Sequence, residues 1–263
     1  MKGLEGGLFV EVGAPSNACQ EEPRTKSSPG IDPCPQRERQ AGIWRYEANT
    51  PGQIHAPDRR VASGLRHALG LAVDPVTGTL WGAVNGRDQL GGLWDYSDER
   101  NAELPAEELV RIDAGDDFGW PYCYHDGLEG RKVLAPEYGG DGQRQGRCAR
   151  AEPPALAFPA HWAPMAIHFY RGEGPRALPP RFAKGAFVAF RGSWNRAPLP
   201  QEGYRIVFVP FGDGQPAGTF ETFAIGADRP TAVRFTGIGE GPDGTLYLAA
   251  DDNQTIWRVW PAP

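Results

Sequence analysis

No run of about 18 apolar residues, the length a membrane-spanning helix needs, occurs anywhere in this 263-residue chain. Concentrated positive charge is missing as well. Twenty-seven Lys and Arg against 33 Asp and Glu leave a formal net charge of -6, which disfavours nucleic acid and anionic membrane as partners. No Ser-rich or single-charge stretch marks a linker, so residues 1–263 read as one domain. Cysteine is scarce, with four residues and no CxxC, and the five histidines are dispersed, which argues against a zinc site. Cys19 and Cys34 bracket one polar loop and Cys123 and Cys148 another. Three pairings are open. The local one closes a single loop at each place, worth roughly 3 kcal/mol apiece in the chain-entropy model. Disulfides imply an oxidising compartment, so the expected location is periplasmic or secreted. Residues 1–5 carry one Lys but no apolar stretch of leader length, and by Leu8 the chain is already in a strand. The expectation is that the sequence begins partway through a longer polypeptide.

Glycine and proline, in contrast, are plentiful: 35 Gly and 26 Pro in short scattered clusters imply many turns and few long helices. A two-part phrase recurs four times, a Gly-led strand start followed later by a short aliphatic/Trp strand that in most instances carries Arg. The instances are Gly7-Leu8-Phe9-Val10 with Ile43-Trp44-Arg45-Tyr46, Gly78-Thr79-Leu80-Trp81 with Leu109-Val110-Arg111-Ile112, Gly185-Ala186-Phe187-Val188 with Arg205-Ile206-Val207-Phe208, and Gly244-Thr245-Leu246-Tyr247 with Ile256-Trp257-Arg258-Val259. A hairpin that cannot bury its own faces stacks on its neighbours, so the repeat predicts an array of small sheets. Asp74-Pro75-Val76-Thr77-Gly78 and Gly241-Pro242-Asp243-Gly244 read as the tight turns of such hairpins. Three long polar insertions interrupt the array, Ala14 to Gln40, Asn85 to Ala106 and Tyr122 to Pro154, and loops of that length serve as functional rims or as self-packed Ω-loops. At about 40 to 50 residues per blade, the remainder holds about four to five blades.

Several segments resemble the glucose/sorbosone dehydrogenase family of soluble quinoproteins. They are Gly64-Leu65-Arg66-His67, Val84-Asn85-Gly86-Arg87-Asp88, Glu107-Glu108-Leu109, Asp117-Phe118-Gly119-Trp120-Pro121, Val12-Gly13-Ala14-Pro15-Ser16-Asn17-Ala18-Cys19, Gly192-Ser193-Trp194-Asn195-Arg196 and Pro242-Asp243-Gly244. The likeness runs over nearly the whole chain and is nearest the sorbosone-dehydrogenase-like branch. The resemblance implies an all-β, six-bladed propeller of four-stranded antiparallel blades. It implies pyrroloquinoline quinone (PQQ) and calcium at one mouth of the channel, oxidation of an aldose or sorbosone-type sugar at C1, and an external electron acceptor.

By the same resemblance Arg66 meets the quinone, with His67 where the family has Asn; Arg234 matches an arginine that holds a PQQ carboxylate, with Thr236 in place of a second basic residue; and Arg191 stands where the family has a cofactor-binding lysine. Backbone carbonyls near Gly86 and Arg87, with Asp88 or Glu107 as carboxylate, would hold calcium. His161 is a candidate sugar contact. The family's general-base histidine falls ahead of Met1, and the first blade with it, so the expectation is an N-terminally incomplete propeller that lacks turnover. Two other readings stay open: a calcium-dependent lactonase using Asp88, Asp251 and Asp252, and a non-catalytic carbohydrate- or protein-binding propeller.

Overall fold

The turn residues set the hairpins as their chemistry demands. In the computed structural model, which describes residues 6–226, 233–252 and 254–262, the Asp74 carboxylate accepts from Val76 N at 2.9 Å and Thr77 Oγ1 at 2.6 Å, and Gly78 takes φ +71°. At the matching place Asp243 Oδ1 accepts from Thr245 N at 3.0 Å, with Gly244 at φ +84°. Residues 1–5, read above as lacking a leader, lie outside the described residues.

Among the described residues seventeen strands result: β1 (Gly7–Val12), β2 (Gly42–Glu47), β3 (Arg60–Ser63), β4 (His67–Val73), β5 (Leu80–Asn85), β6 (Glu107–Ile112), β7 (Cys123–Asp126), β8 (Arg131–Leu134), β9 (Leu156–Phe158), β10 (Pro164–Phe169), β11 (Gly185–Phe190), β12 (Arg205–Gly212), β13 (Gln215–Pro216), β14 (Glu221–Ile225), β15 (Phe235–Glu240), β16 (Leu246–Ala250) and β17 (Thr255–Val259). They form four sheets in chain order, β1-β2-β3, β4-β5-β6-β9, β10-β11-β12 with β13 and β14 beside β12, and β15-β16-β17, plus the separate hairpin β7-β8. All named pairs are antiparallel, and each recurring phrase lands on two neighbouring strands, with Val10 opposite Trp44, Trp81 opposite Arg111, Phe187 opposite Phe208 and Tyr247 opposite Arg258.

The sheets carry three, four, five and three strands, where the resemblance implied four each. The third insertion adds no blade. It forms β7-β8 and a loop closed by a disulfide. The second insertion, read as an irregular polar loop, holds helices α1 (Leu90–Trp94) and α2 (Asp98–Glu103), anchored by buried Leu90, Leu93 and Ala102 and capped where Ser97 Oγ accepts from Arg100 N at 3.2 Å. Both local disulfides are formed, Cys19–Cys34 and Cys123–Cys148.

The sheets stack in series: β4 packs on β10 and β10 on β15, while β5 also touches β10 and β11 touches β15. In the same manner β1, the edge strand of its sheet, meets β4. Among the described residues no comparably extensive contact joins β15 back to β1. The close approach of β4 to β10 requires Gly70, where a Cβ would stand 2.9 Å from the Ala166 carbonyl carbon.

Strand β11 explains how the stack is held. Its six residues are all buried, and they alternate: Ala186, Val188 and Phe190 join Trp81, Phe158 and Trp162 on the β4-side core, while Phe187 and Ala189 join Phe208, Leu246 and Leu248 on the β15-side core. Phe187 also meets the rings of Tyr170, Phe182, Phe208 and Phe223 at centroid distances of 4.8–5.8 Å. Phe187→Ala is expected to cost about 3–5 kcal/mol, measured as a lower denaturant midpoint; a loss under about 1 kcal/mol would contradict this two-faced core.

Candidate functional site

In an antiparallel sheet the start of the first strand and the end of the second lie at the same end. Arg66 and His67 open β4, Asn85 closes β5, Pro164 opens β10, Arg191 follows β11, Arg234 precedes β15 and Asp251 follows β16. Three sheets therefore deliver these residues to the same end, here called the mouth. Glu11, near the end of β1, arrives there too.

Two carboxylates organise this mouth. Glu107, at the start of β6 and 3% exposed, accepts Gly86 N at 2.7 Å and Ala163 N at 2.9 Å, joining the β5 exit to the β10 entrance. Burial pushes its carboxyl up to about 7, against the downward pull of those two N–H groups. Asp88 binds Arg66 Nη2 through Oδ2 at 2.7 Å and Asn195 Nδ2 through Oδ1, and Arg24 lies 3.3 Å from Oδ2. Asn17 clamps its backbone, donating to Asp88 O at 2.9 Å and accepting from Asp88 N at 2.8 Å. Burial raises the Asp88 carboxyl, but the Arg66 and Arg24 guanidinium groups outweigh it and hold the group below its ordinary value.

Arg66 itself also donates to Gly86 O, and its Nε is buried without a partner. His67 has its Nδ1 4.0 Å from Glu11, and a Cβ on Gly13 would come within 2.4 Å of that nitrogen, so the ring lies flush against the chain. Burial first and the Arg66 charge second lower His67 to about 4, leaving a neutral imidazole. Arg191 Nε pairs with Asp251 at 2.7 Å. Arg234 lies 5.3 Å from the centre of the Tyr204 ring, donates to Gly192 O at 3.3 Å, and has its backbone N on Asp252 at 3.2 Å. Arg191 N donates to Ala163 O at 3.0 Å, which links this half to the Glu107 half.

Two sequence candidates point elsewhere. The Arg87 side chain turns into the third insertion and forms a buried ion pair with Glu137, which also accepts from Trp94 Nε1 at 2.7 Å. His161, 4% exposed, rests on Asn101 O at 2.8 Å under the second insertion and is closed off from solvent. Sequence reasoning missed Asn17, Arg24 and Asn195 as site residues, although Asn17 and Asn195 lie inside motifs it singled out.

The enclosed space beneath Arg66 and Gly86 measures about 30 Å³, room for about one water, so a ring-sized ligand would lie in the open mouth above the arginines. Arginines from three successive sheets with an unused buried donor on Arg66 suit a polycarboxylate ring. Of the oxygens assigned to calcium, Gly86 O, both Asp88 carboxylate oxygens and both Glu107 oxygens suit that ion poorly, because they already accept from N–H groups. Among the described residues no cluster of three His, Cys, Asp or Glu forms either.

Residues 40–262 match the TrAA12-like family model. The chain belongs to that family. Similar folds are the calcium structure of Trichoderma reesei carbohydrate-active enzymes family AA12 (TM-score 0.73, 21% identity, 96% of this chain and 64% of that one) and the holo PQQ domain of Coprinopsis cinerea pyranose dehydrogenase (0.71, 19%, 97% and 67%). The soluble aldose sugar dehydrogenase of Escherichia coli in its apo form is similar at TM-score 0.56 and 16% identity, over 94% of this chain and 58% of that one. An uncharacterized protein of Borreliella burgdorferi is 28% identical over 207 residues, 76% of this chain and 48% of its own length. The chain thus spans about half of that relative and less than two thirds of the first similar structure.

Glu107 predicts a pH signature. Its folded pKa lies above the ordinary 4.5, so its contribution to stability is complete below pH 4.5 and is lost as pH rises through about 7. The stability difference between wild type and E107Q, from urea titrations, is expected to fall across that window; the opposing His67 contribution is common to both proteins and cancels. A difference that stays flat or grows with pH would mean that the carboxyl is ionised throughout.

Proposed function

We propose that this TrAA12-like chain serves sugar oxidation of the quinoprotein type: PQQ binds at the mouth, and an aldose or sorbosone-type sugar is oxidised at C1. The observation that carries the reading is that Arg66, Arg191 and Arg234 stand at the same end of strands in three successive sheets of an otherwise acidic protein. The PQQ domain and sugar dehydrogenases among the similar folds support it.

PQQ, when bound, supplies an electrophilic carbonyl carbon that accepts hydride and passes the electrons to an external acceptor. The protein's part is to hold and polarise. Arg191 is free to take a ligand carboxylate because its pair with Asp251 is solvent-exposed, 37% and 42% for the two side chains, and such pairs contribute about 0–1 kcal/mol. Arg234 offers a second guanidinium beside Tyr204. Arg66, fixed by Asp88, presents positive charge where negative charge grows on the ring oxygens. His67, neutral at physiological pH, is suited to one hydrogen bond and is a weak base. None of the described mouth residues is a histidine poised as general base, so turnover by this chain alone is expected to be slow. The lactonase reading is disfavoured, since Asp88 and Asp251 are paired with arginines and Asp252 accepts a backbone N–H. The two disulfides favour a periplasmic or secreted setting.

A PQQ titration followed by quinone absorbance is expected to saturate, and Arg234→Ala to weaken it about 10-fold to 100-fold, the loss of one charge-assisted hydrogen bond. Absence of saturable binding would overturn the proposal.

A further inference from the structure

We propose that the fixed cation of this mouth is the Arg66 guanidinium, seated in the oxygen cage that a divalent cation would otherwise fill. Arg66 Nη1 donates to Gly86 O and Nη2 to Asp88 Oδ2, so one planar group spans the backbone carbonyl and the carboxylate that lie two residues apart on the β5 exit loop. Asn195 occupies the second Asp88 oxygen, Asn17 the Asp88 carbonyl, and the amides of Gly86 and Ala163 the two Glu107 oxygens. A calcium ion wants six to eight oxygens, and here the Gly86 carbonyl and the Asp88 and Glu107 carboxylate oxygens each face an N–H donor, so that of the assigned oxygens the Arg87 carbonyl alone has no such donor among the described residues. Entry would require evicting a guanidinium that is 10% exposed, with Arg24 standing 3.3 Å from the same carboxylate.

The seat leaves the guanidinium useful. Of its five N–H groups, two are used by Gly86 and Asp88, and the buried Nε–H has no partner. Those remaining donors fit an anionic or quinonoid oxygen, with a charge that needs no metal to be loaded. Asp88 and Asn195 act as positioning residues: Asp88 aims Arg66, and Asn195 and Asn17 hold Asp88. Only the identity of the ligand rests on the function proposed above.

The test needs no quinone. Thermal unfolding of the full chain is followed while CaCl2 rises to about 10 mM, beyond the range of weak extracellular calcium modules, with ionic strength held constant and MgCl2 as control. The midpoint of the wild type is expected to stay within about a degree of its metal-free value, because a ligand that does not bind the native state adds no stability. Arg66→Ala, which frees Gly86 O and Asp88 Oδ2, is expected to gain a saturable, calcium-specific rise of several degrees. A saturable calcium-specific rise in the wild type would overturn the proposal, and so would an R66A protein that folds without gaining one. Should R66A not fold, the wild-type titration alone decides. Loss of PQQ binding would leave these results unchanged, so the two readings fail separately.

Discussion

One carboxylate sets the geometry from which the rest of this mouth is built. Glu107 stands at the head of β6, and its two oxygens take the amides of Gly86 and Ala163, loop residues that flank strands of different sheets. That single side chain fixes the β5 exit against the β10 entrance. The Gly86 carbonyl is thereby aimed at Arg66, and the Ala163 carbonyl, on the other side of the same segment, at the amide of Arg191. A buried acid engaged by two backbone donors costs desolvation, as its raised pKa records, and a fold retains such a group where it fixes position.

Charge compensation is the second constraint. Arg66 is answered by Asp88 and Arg191 by Asp251, while Arg87, drawn off to Glu137, anchors the third insertion. The pairs differ in burial, and this divides their roles. The buried Arg66–Asp88 pair is a permanent fixture, whereas the exposed Arg191–Asp251 pair can open for a ligand. The disulfide-tied first insertion adds Asn17 and Arg24 to the same node, so a rim loop far in sequence becomes part of the site's frame.

The strands were legible in the sequence because their determinants are local. Asp74 and Gly78 build their turn from neighbouring atoms, and the apolar run Gly185–Phe190 announces a strand buried on both faces. Arg66, Asp88 and Glu107 were singled out because they sit in motifs; Arg66 and Asp88 form an ion pair, and Glu107 binds the neighbouring Gly86 amide. What joins them was not legible. Asn17 and Asp88 are 71 residues apart and Asn195 and Asp88 are 107 apart, and nothing in either segment announces its partner. The side-chain partner of Arg87 was not legible for a related reason: it is a Glu137 supplied by a distant insertion. The helices α1 and α2 hid in a segment whose polar residues outweigh the few buried ones, Leu90, Leu93 and Ala102, that anchor them.

Native-state hydrogen exchange at the two amides held by Glu107 tests the account most directly. Gly86 and Ala163 lie at loop positions, yet both are predicted to exchange about as slowly as amides of the buried strand β11, and Glu107→Ala to accelerate both together. Exchange of either amide at the rate of an open loop in the wild type, or protection that survives the substitution, would contradict the claim that one carboxylate ties the sheets at this mouth.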